Sequence, residues 1–365
     1  MPSAHLIGTG LIGTSAGLAL SRAGWSVTLE DQSVTSAALA RDLGAGTLAD
    51  ETSAPDLVVV ATPPDVTSAV VSVALQQWPG AVVTDVASVK AVIVEELRAA
   101  GADLARYCGS HPMAGRERSG AISGRADLFH GRAWVLTPTE ETAASSLALV
   151  RQAAIDTGAA VTVLDAAEHD EAVAAVSHLP QVAASLVAAR LERLPDSAVA
   201  LAGQGLRDVT RIAASDPGLW TQILSGNASA VRALLVDVAS DLDQVIAALD
   251  DLSGDRTTAV PGDAPGARGI LAGVVAAGNA GHARIPGKHG AAPTTYETVR
   301  VLIPDEPGQL GRLFADVGDL GINIEEFKLD HGLGQSFGLA EVDVLPAASA
   351  ALAEGLSERG WRIHG

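Results

Sequence analysis

Short apolar runs separated by glycine- and proline-marked turns fill the first 165 residues, and most are followed by a stretch with helical spacing. His5-Leu6-Ile7 predicts a strand, Ser15 to Leu20 a helix, and Val27-Thr28-Leu29 a second strand. Asp56 to Ala61 predicts a buried strand, which Thr62-Pro63-Pro64 closes. Val82 to Lys90 begins as a buried-type strand and runs into Asp85, Ser88 and Lys90, and further strands are predicted near Ala133–Leu136 and Ala160–Leu164. This rhythm predicts an α/β domain with a doubly wound sheet over residues 1–165. From Ala166 to about Asp250 alanine and leucine recur at helical spacing with almost no strand signal, which predicts an all-α domain over 166–285. Val176 to Gln181 interrupts a long apolar helix there, and Ile270 to Ala277 predicts a last helix of its core. A linker follows over 286–295. In 296–365 the pattern is strand (Thr298–Ile303), helix (from Asp305-Glu306-Pro307-Gly308-Gln309-Leu310 through Gly318), strand (starting at Gly321–Ile324), strand (Phe337–Val344) and helix (Ala348–Arg359). That order predicts a βαββαβ module.

The first turn gives the α/β domain a ligand. Gly8-Thr9-Gly10-Leu11-Ile12-Gly13 lies between a strand and a helix, where glycines allow a tight turn and close backbone approach, and where the helix N-terminus attracts a pyrophosphate. The second strand ends in Glu30-Asp31, about 20 residues on, the spacing of a carboxylate that reads a ribose 2′-hydroxyl. The combination predicts a Rossmann-type fold binding NAD, since an acidic group there repels the 2′-phosphate of NADP. Asp31 is the preferred reader and Glu30 the alternative. The Thr62-Pro63-Pro64 loop is expected beside the nicotinamide.

Net charge is −19, which argues against a nucleic-acid or anionic-membrane partner. The first twenty residues are apolar but lack a charged start, so they do not read as a secretory signal. No uninterrupted run of roughly 18 apolar residues occurs, so no membrane span is expected. One cysteine, Cys108, precludes an internal disulfide and fits a reducing compartment, hence a cytoplasmic protein. Its place before His111 suggests packing.

Candidate chemistry gathers at the carboxyl ends of two strands, where ligands collect in doubly wound sheets. Asp85, Ser88 and Lys90 end one; Gly109-Ser110-His111-Pro112-Met113-Ala114-Gly115 sets a histidine among proline and glycines at the other. Arg116, Arg118, Arg125 and Arg132 follow, a local well for an anion or a solvated face. In the helical region Arg207 and Arg211 stand four apart on one face, ahead of an N-cap at Ser215 or Asp216, Pro217 and Trp220. Such a pair suits carboxylate recognition by a guanidinium fork.

The ordered set G-x-G-x-x-G, D-x-x-S-V-K, H-P-M-A-G-x-E, S-H-L-P and R-D-x-T-R-I-A-x-S-D-P-x-x-W over residues 3–285 resembles the prephenate dehydrogenase family of tyrosine biosynthesis. The resemblance implies NAD-dependent oxidative decarboxylation of prephenate to 4-hydroxyphenylpyruvate by a homodimer built through the helical domain. It implies that His111 binds the ring 4-hydroxyl and draws off its proton, and that Ser88 touches the hydroxyl region and the nicotinamide. Gly8, Gly10, Leu11, Ile12, Gly13, Glu30 or Asp31, Thr62, Pro63, Pro64, Asp85 and Ser88 would then face the cofactor. Arg211 would bind a substrate carboxylate, with Arg207 and His178 nearby. Glu117, Trp220 and Asp170 would stand around the pocket mouth, Asp170 from the partner subunit. No metal is implied.

Gln181 departs from the family, many of whose members read S-H-L-P-H. Arogenate carries an ammonium where prephenate carries a keto group, and pairing it calls for an acidic residue. Gln181 is neutral, so prephenate is the expected substrate and arogenate the alternative. The C-terminal module, with its P-G-x-L and G-I-N-I signatures, resembles an ACT domain, an amino-acid sensor that binds ligand between paired copies. The resemblance implies a site at Gly308, Asn323 and Ile324 and feedback by an aromatic amino acid, tyrosine first; a purely dimerising role is the alternative. Two other readings stand beside the enzyme: a non-catalytic cofactor or amino-acid sensor, and a hydroxyacid dehydrogenase, which needs a lysine–asparagine site that is not evident.

Overall fold

The computed structural model describes residues 1–49, 54–115, 120–253, 266–285, 296–331 and 336–364, in two compact units, Met1–Leu242 and Asp243–Gly365. The expected linker, 286–295, lies outside the described residues.

The first unit is built on five parallel strands, β1 (Ser3–Ile7), β2 (Ser26–Glu30), β3 (Thr47–Leu48), β4 (Leu57–Val60) and β5 (Val82–Asp85), in the order β3-β2-β1-β4-β5. Helices α1 (Leu11–Arg22), α2 (Val34–Asp42), α3 (Pro64–Gln77) and α4 (Ala91–Ala99) follow β1, β2, β4 and β5. A parallel sheet covered on both faces needs strands apolar on both sides, and β4 shows it. Leu57 and Val59 enter one core cluster, Val58 and Val60 the other. A second sheet holds β6 (Gly109–Pro112), antiparallel to β7 (Ala133–Thr137), which runs parallel to β8 (Ala160–Val163), with α5 (Ala144–Asp156) before β8. The Cys108 amide donates to the Val83 carbonyl (3.1 Å), so the chain enters β6 alongside β5. His111 thereby emerges next to the β5–α4 loop.

The helices follow β8 directly: α6 (Ala166–Val173), a π-helical turn (Ala174–His178), α7 (Leu179–Leu191), α8 (Asp196–Val199), α9 (Gln204–Thr210), a 3-10 turn (Arg211–Ala213), α10 (Pro217–Gly226) and α11 (Ala228–Ser253). Asp165 caps α6 by accepting from the Glu168 amide (2.7 Å), and Asp216 caps α10 by accepting from Leu219 (2.7 Å). The expected interruption at Val176–Gln181 is instead a widened turn inside one helical run. Pro180 has no N–H to give to the preceding turn, and a π turn absorbs that loss without breaking the helix. By length and composition this run, Ala166–Leu191, is the one helix among the described residues apolar enough to cross a membrane, with a mean hydropathy of 1.5. It also carries buried His169, Asp170, His178 and Gln181, which line a polar network within the unit.

In the second unit, α12 (Ala267–His282) covers the expected 270–277 helix but buries no residue fully, so it is not a core helix of this chain. The expected module is present as β9 (Glu297–Pro304), α13 (Gln309–Asp319), β10 (Glu326–His331), β11 (Phe337–Val344), α14 (Pro346–Glu358) and β12 (Arg362–His364). Its four antiparallel strands lie in the order β10-β11-β9-β12, the split βαβ arrangement. Val299, Val301 and Ile303 of β9 and Ala340, Val342 and Val344 of β11 alternate inward, under Leu313 and Val317 of α13 and Leu352 and Leu356 of α14. The second strand begins at Glu326, not at Gly321–Ile324. Gly321, at φ +68°, ends the helical turn, and ladder pairing starts only at Glu326 opposite Asp343.

Candidate active site

At the cofactor end, the β1–α1 turn needs its glycines for packing and for access. Gly8 sits at φ +100°, and a Cβ there would come within 2.4 Å of the Ala61 carbonyl. A Cβ on Gly13 would lie 1.9 Å from the Gly8 carbonyl. Gly10 instead has nothing within 4 Å of an added Cβ, so the turn is open on its outer side. The first backbone bond of α1 runs from the Thr14 amide to the Gly10 carbonyl, which leaves the amides of Leu11, Ile12 and Gly13 as the helix's unspent donors. Asp31 follows β2, and its carboxylate accepts from the Thr9 amide (2.6 Å) and hydroxyl (2.8 Å) and from the Ser33 amide (2.8 Å). Glu30 turns to the buried His5 ring (3.1 Å). Thr62 and Pro64 are half-buried and Pro63 exposed in the β4–α3 loop. These groups fit a dinucleotide: open backbone amides for its phosphates and a carboxylate tied to the glycine turn for a ribose.

Around His111, itself half-buried, the structure assembles a chain of hydrogen bonds that runs inward. His111 Nδ1 meets His169 Nε2 at 2.9 Å, and His169 Nδ1 meets Asp170 Oδ1 at 2.8 Å. Asp170 also accepts from the backbone amides of Lys90 and Ala91, both at 2.9 Å. A carboxylate only accepts, so His169 donates through Nδ1; its Nε2 then serves as the acceptor, and His111 donates through Nδ1. His111 Nε2 is left with its lone pair. Burial, then the neighbouring His169, Lys90 and His178, hold the His111 pKa well below the usual 6.5. The ring is therefore a neutral base at physiological pH.

His178 carries the opposite polarity. The Asn227 amide group donates to the Asp170 carbonyl (2.7 Å) and to His178 Nδ1 (3.2 Å), so the His178 proton sits on Nε2. Burial lowers its pKa, against the pull of Asp170. The Trp220 ring meets the His178 ring edge-on at 6.0 Å. Gln181 is buried on α7, within 3.4 Å of the Ser185 and Ser215 hydroxyls. Arg207 and Arg211 are exposed where α9 gives way to the 3-10 turn.

Two expected placements are corrected. Asp170 is not at the pocket mouth and needs no partner subunit to place it, because both its oxygens are engaged by backbone amides and His169 of its own chain. Asp85 does not face a cofactor: it is fully buried and accepts from Lys90 Nζ, the Tyr107 hydroxyl (2.6 Å) and the Ala87 amide (2.9 Å). Ser88 is half-buried in the β5–α4 loop. Glu117, with Arg116 and Arg118, lies outside the described residues, while Arg125 is exposed and paired with Asp127 (2.8 Å). Burial and the nearby Asp85 push the Cys108 thiol up to about 12, in keeping with a packing role. Sequence reading missed His169, Tyr107 and Asn227. His169 had a signal, standing directly before Asp170 at the start of an apolar helix; the other two had none.

Two family models match the chain: the nucleotide-binding domain of prephenate dehydrogenase over residues 16–163 and its dimerization domain over residues 165–260. A Streptomyces niveus protein named probable prephenate dehydrogenase NovF is 35% identical over 364 residues, 99% of each chain. The solved structure of Aquifex aeolicus prephenate dehydrogenase in complex with hydroxyphenyl propionate and NAD+ is 29% identical and superposes with a TM-score of 0.62, covering 69% of this chain and 92% of that one. Synechocystis arogenate dehydrogenase is 28% identical with a TM-score of 0.59, covering 69% and 93%.

Proposed function

The chain belongs to the prephenate dehydrogenase family, and from that membership we propose that it is an NAD-dependent enzyme that converts prephenate to 4-hydroxyphenylpyruvate in tyrosine biosynthesis. The observation that carries the chemistry is the His111–His169–Asp170 chain, which ends in an unprotonated Nε2 on a half-buried, weakly basic ring.

His111 Nε2 accepts the proton of the ring 4-hydroxyl as hydride leaves the same carbon. Bound NAD+ supplies the hydride acceptor, held by the β1–α1 turn with Asp31 on its ribose. The ring carboxylate then departs as CO2, its electron pair completes the aromatic ring, and the phenolic oxygen takes its proton back from His111. Prephenate loses one carboxylate as CO2 and one hydride, so no net proton is released. A base that must return its proton within the same turnover is served by a low pKa, and His111 has one. His169 and Asp170 keep the acceptor nitrogen of His111 on the substrate side. Ser88, on the adjoining loop, contacts the hydroxyl and nicotinamide region, and His178 offers an N–H donor. Arg211 binds the ring carboxylate with Arg207 and Trp220 near it. An ion pair to a group that must lose its charge favours the ground state, so Arg211 is a binding residue and not a source of rate.

Prephenate is preferred to arogenate because Gln181 is neutral and its amide is occupied near two serine hydroxyls. The arogenate dehydrogenase likeness keeps the second substrate in play. A homodimer through the helices is supported by the matched dimerization domain and by an apolar groove of about 490 Å³ along Val182, Leu224, Val231 and Leu235. The βαββαβ module serves as an ACT domain that senses tyrosine near Gly308, at φ +88° before α13, Asn323 and Ile324. A cytoplasmic location follows from the biosynthetic role and the unpaired buried thiol. Incubation of the pure protein with NAD and prephenate, arogenate or a hydroxyacid panel tests the reading. NADH and 4-hydroxyphenylpyruvate should form with prephenate, and absence of turnover with every substrate would leave the sensor reading.

A further inference from the structure

Beneath the His111 strand lies a fully buried ion pair for which the reaction above has no use. Lys90 and Asp85 are both 0% exposed. Lys90 Nζ is paired with Asp85 Oδ1 and donates to the Ser110 carbonyl at 2.8 Å, one residue before His111. Asp85 closes the circuit: it accepts from the Tyr107 hydroxyl (2.6 Å) and the Ala87 amide (2.9 Å), while its carbonyl accepts from the Ser110 hydroxyl (2.7 Å). The pair thus clasps the two ends of the Val86–Lys90 loop, with Ser88 between them, and fastens that loop to the strand of the base. The backbone of Lys90 reaches the third element, its amide donating to Asp170. Space around the lysine stem is closed as well. A Cβ on Gly109 would lie 2.6 Å from the Thr137 hydroxyl and 3.4 Å from Lys90 Cδ.

Two charges taken out of water stabilise a fold poorly, and an apolar pair of equal volume commonly does as well or better. An isolated pair here would therefore be an inefficient staple. We propose that Lys90 is a positioning residue for the reaction, a buried cation that holds Ser88 and His111 in register with each other. The inference rests on the catalytic role proposed for His111. The groups bearing on that ring are Lys90 from the β5–α4 loop and His169 and His178 from the helical run; all three disfavour its protonation. Asp170 reaches it only through His169, and Asp85 is turned toward Lys90 and Tyr107. Burial lowers the lysine's own pKa, and its contact with Asp85 opposes that shift.

The test compares pH profiles of kcat/KM for prephenate in wild type, Lys90→Met and Asp85→Asn/Lys90→Met. The double variant removes both charges and so spares the fold a lone buried carboxylate. In both variants kcat should fall by about tenfold to a hundredfold, the scale of a small misplacement of reacting groups. The acid limb should move up by roughly half a unit to one unit as the cation is lost, with the KM for NAD unchanged. An acid limb that stays in place with kcat within threefold of wild type would overturn the proposal, even if the melting temperature drops. Failure of both variants to fold would also overturn it, since the pair would then be a requirement of folding. An inactive wild type would count instead against the proposed function.

Discussion

Replacing His169 by leucine removes the acceptor for His111 Nδ1–H while leaving a side chain of comparable bulk in a fully buried place. Asp170 keeps its amide donors from Lys90 and Ala91, so α6 stays anchored. The loss falls on His111, whose Nδ1–H is then buried without a partner. Such a group costs about 1–3 kcal/mol, and the ring can recover part of this by moving its proton to Nε2, which blocks the base. At ~1.36 kcal/mol per factor of ten, kcat should fall by about 5- to 150-fold. The NAD KM should stay within about twofold, because the β1–α1 turn shares no bond with His169. Glutamine at the same position places an amide oxygen close to the former Nε2 and should recover most of the loss. Initial rates of NADH formation across pH check both points. In wild type the acid limb should lie below 6.5, since the His111 pKa is lowered and its basic form persists as pH falls. Leucine within twofold of wild type, or glutamine no better than leucine, would refute the tautomer argument.

Other outcomes follow from the same geometry. His111→Asn should cut turnover by about a hundredfold or more, the scale of a general base, with NAD binding by fluorescence nearly intact; turnover within a few-fold of wild type would remove it from that role. Arg211→Ala should raise the KM for prephenate far more than it lowers kcat, whereas lost thermal stability without a selective KM effect would mark a structural arginine. Gln181→Glu should shift relative kcat/KM toward arogenate, and an unchanged ratio would exclude Gln181 from specificity. Tyrosine should inhibit the full-length enzyme, and removal of residues 295–365 should abolish that inhibition while sparing activity; inhibition that survives the deletion points to another site.

Local signals carried most of the fold. The turn at Gly8–Gly13, the wholly apolar β4 and the Asp216–Pro217 helix start each state their structure within a few residues, so spacing alone located them. What escaped was whatever depends on contacts between distant segments. Asp85 looked like a ligand-facing carboxylate because it ends a strand of the doubly wound sheet, and Asp170 because the family resemblance set it at the pocket mouth. Their partners, Tyr107, Lys90 and the Ala91 amide, lie 5 to 80 residues away in sequence and cannot be read from it. Alanine-rich periodicity likewise gave the helix of α6 and α7, but nothing in Val176–Gln181 separates a break from a π turn without the packing of Asn227 against it.

That turn bears on how the gene for this chain can change in length. An α-helix advances about 100° per residue, so eight residues of regular winding would leave Asp170 and His178 roughly 80° apart in azimuth. One amide group, that of Asn227, nevertheless reaches the Asp170 carbonyl and the His178 ring together. The looser winding of Ala174–His178 takes up the difference, acting as a phase adjuster between two halves of one rod. Side-chain changes at Ala175 or Val176 leave the phase alone. Deleting a single codon there and closing the turn to regular winding would leave seven residues, about 700°, so Asp170 and His178 would stay within roughly 20° of one azimuth. The turn thus behaves as one extra residue taken up without loss of phase: a chain one residue shorter here can run as a plain α-helix and present the same two side chains, whereas eight residues wound regularly cannot.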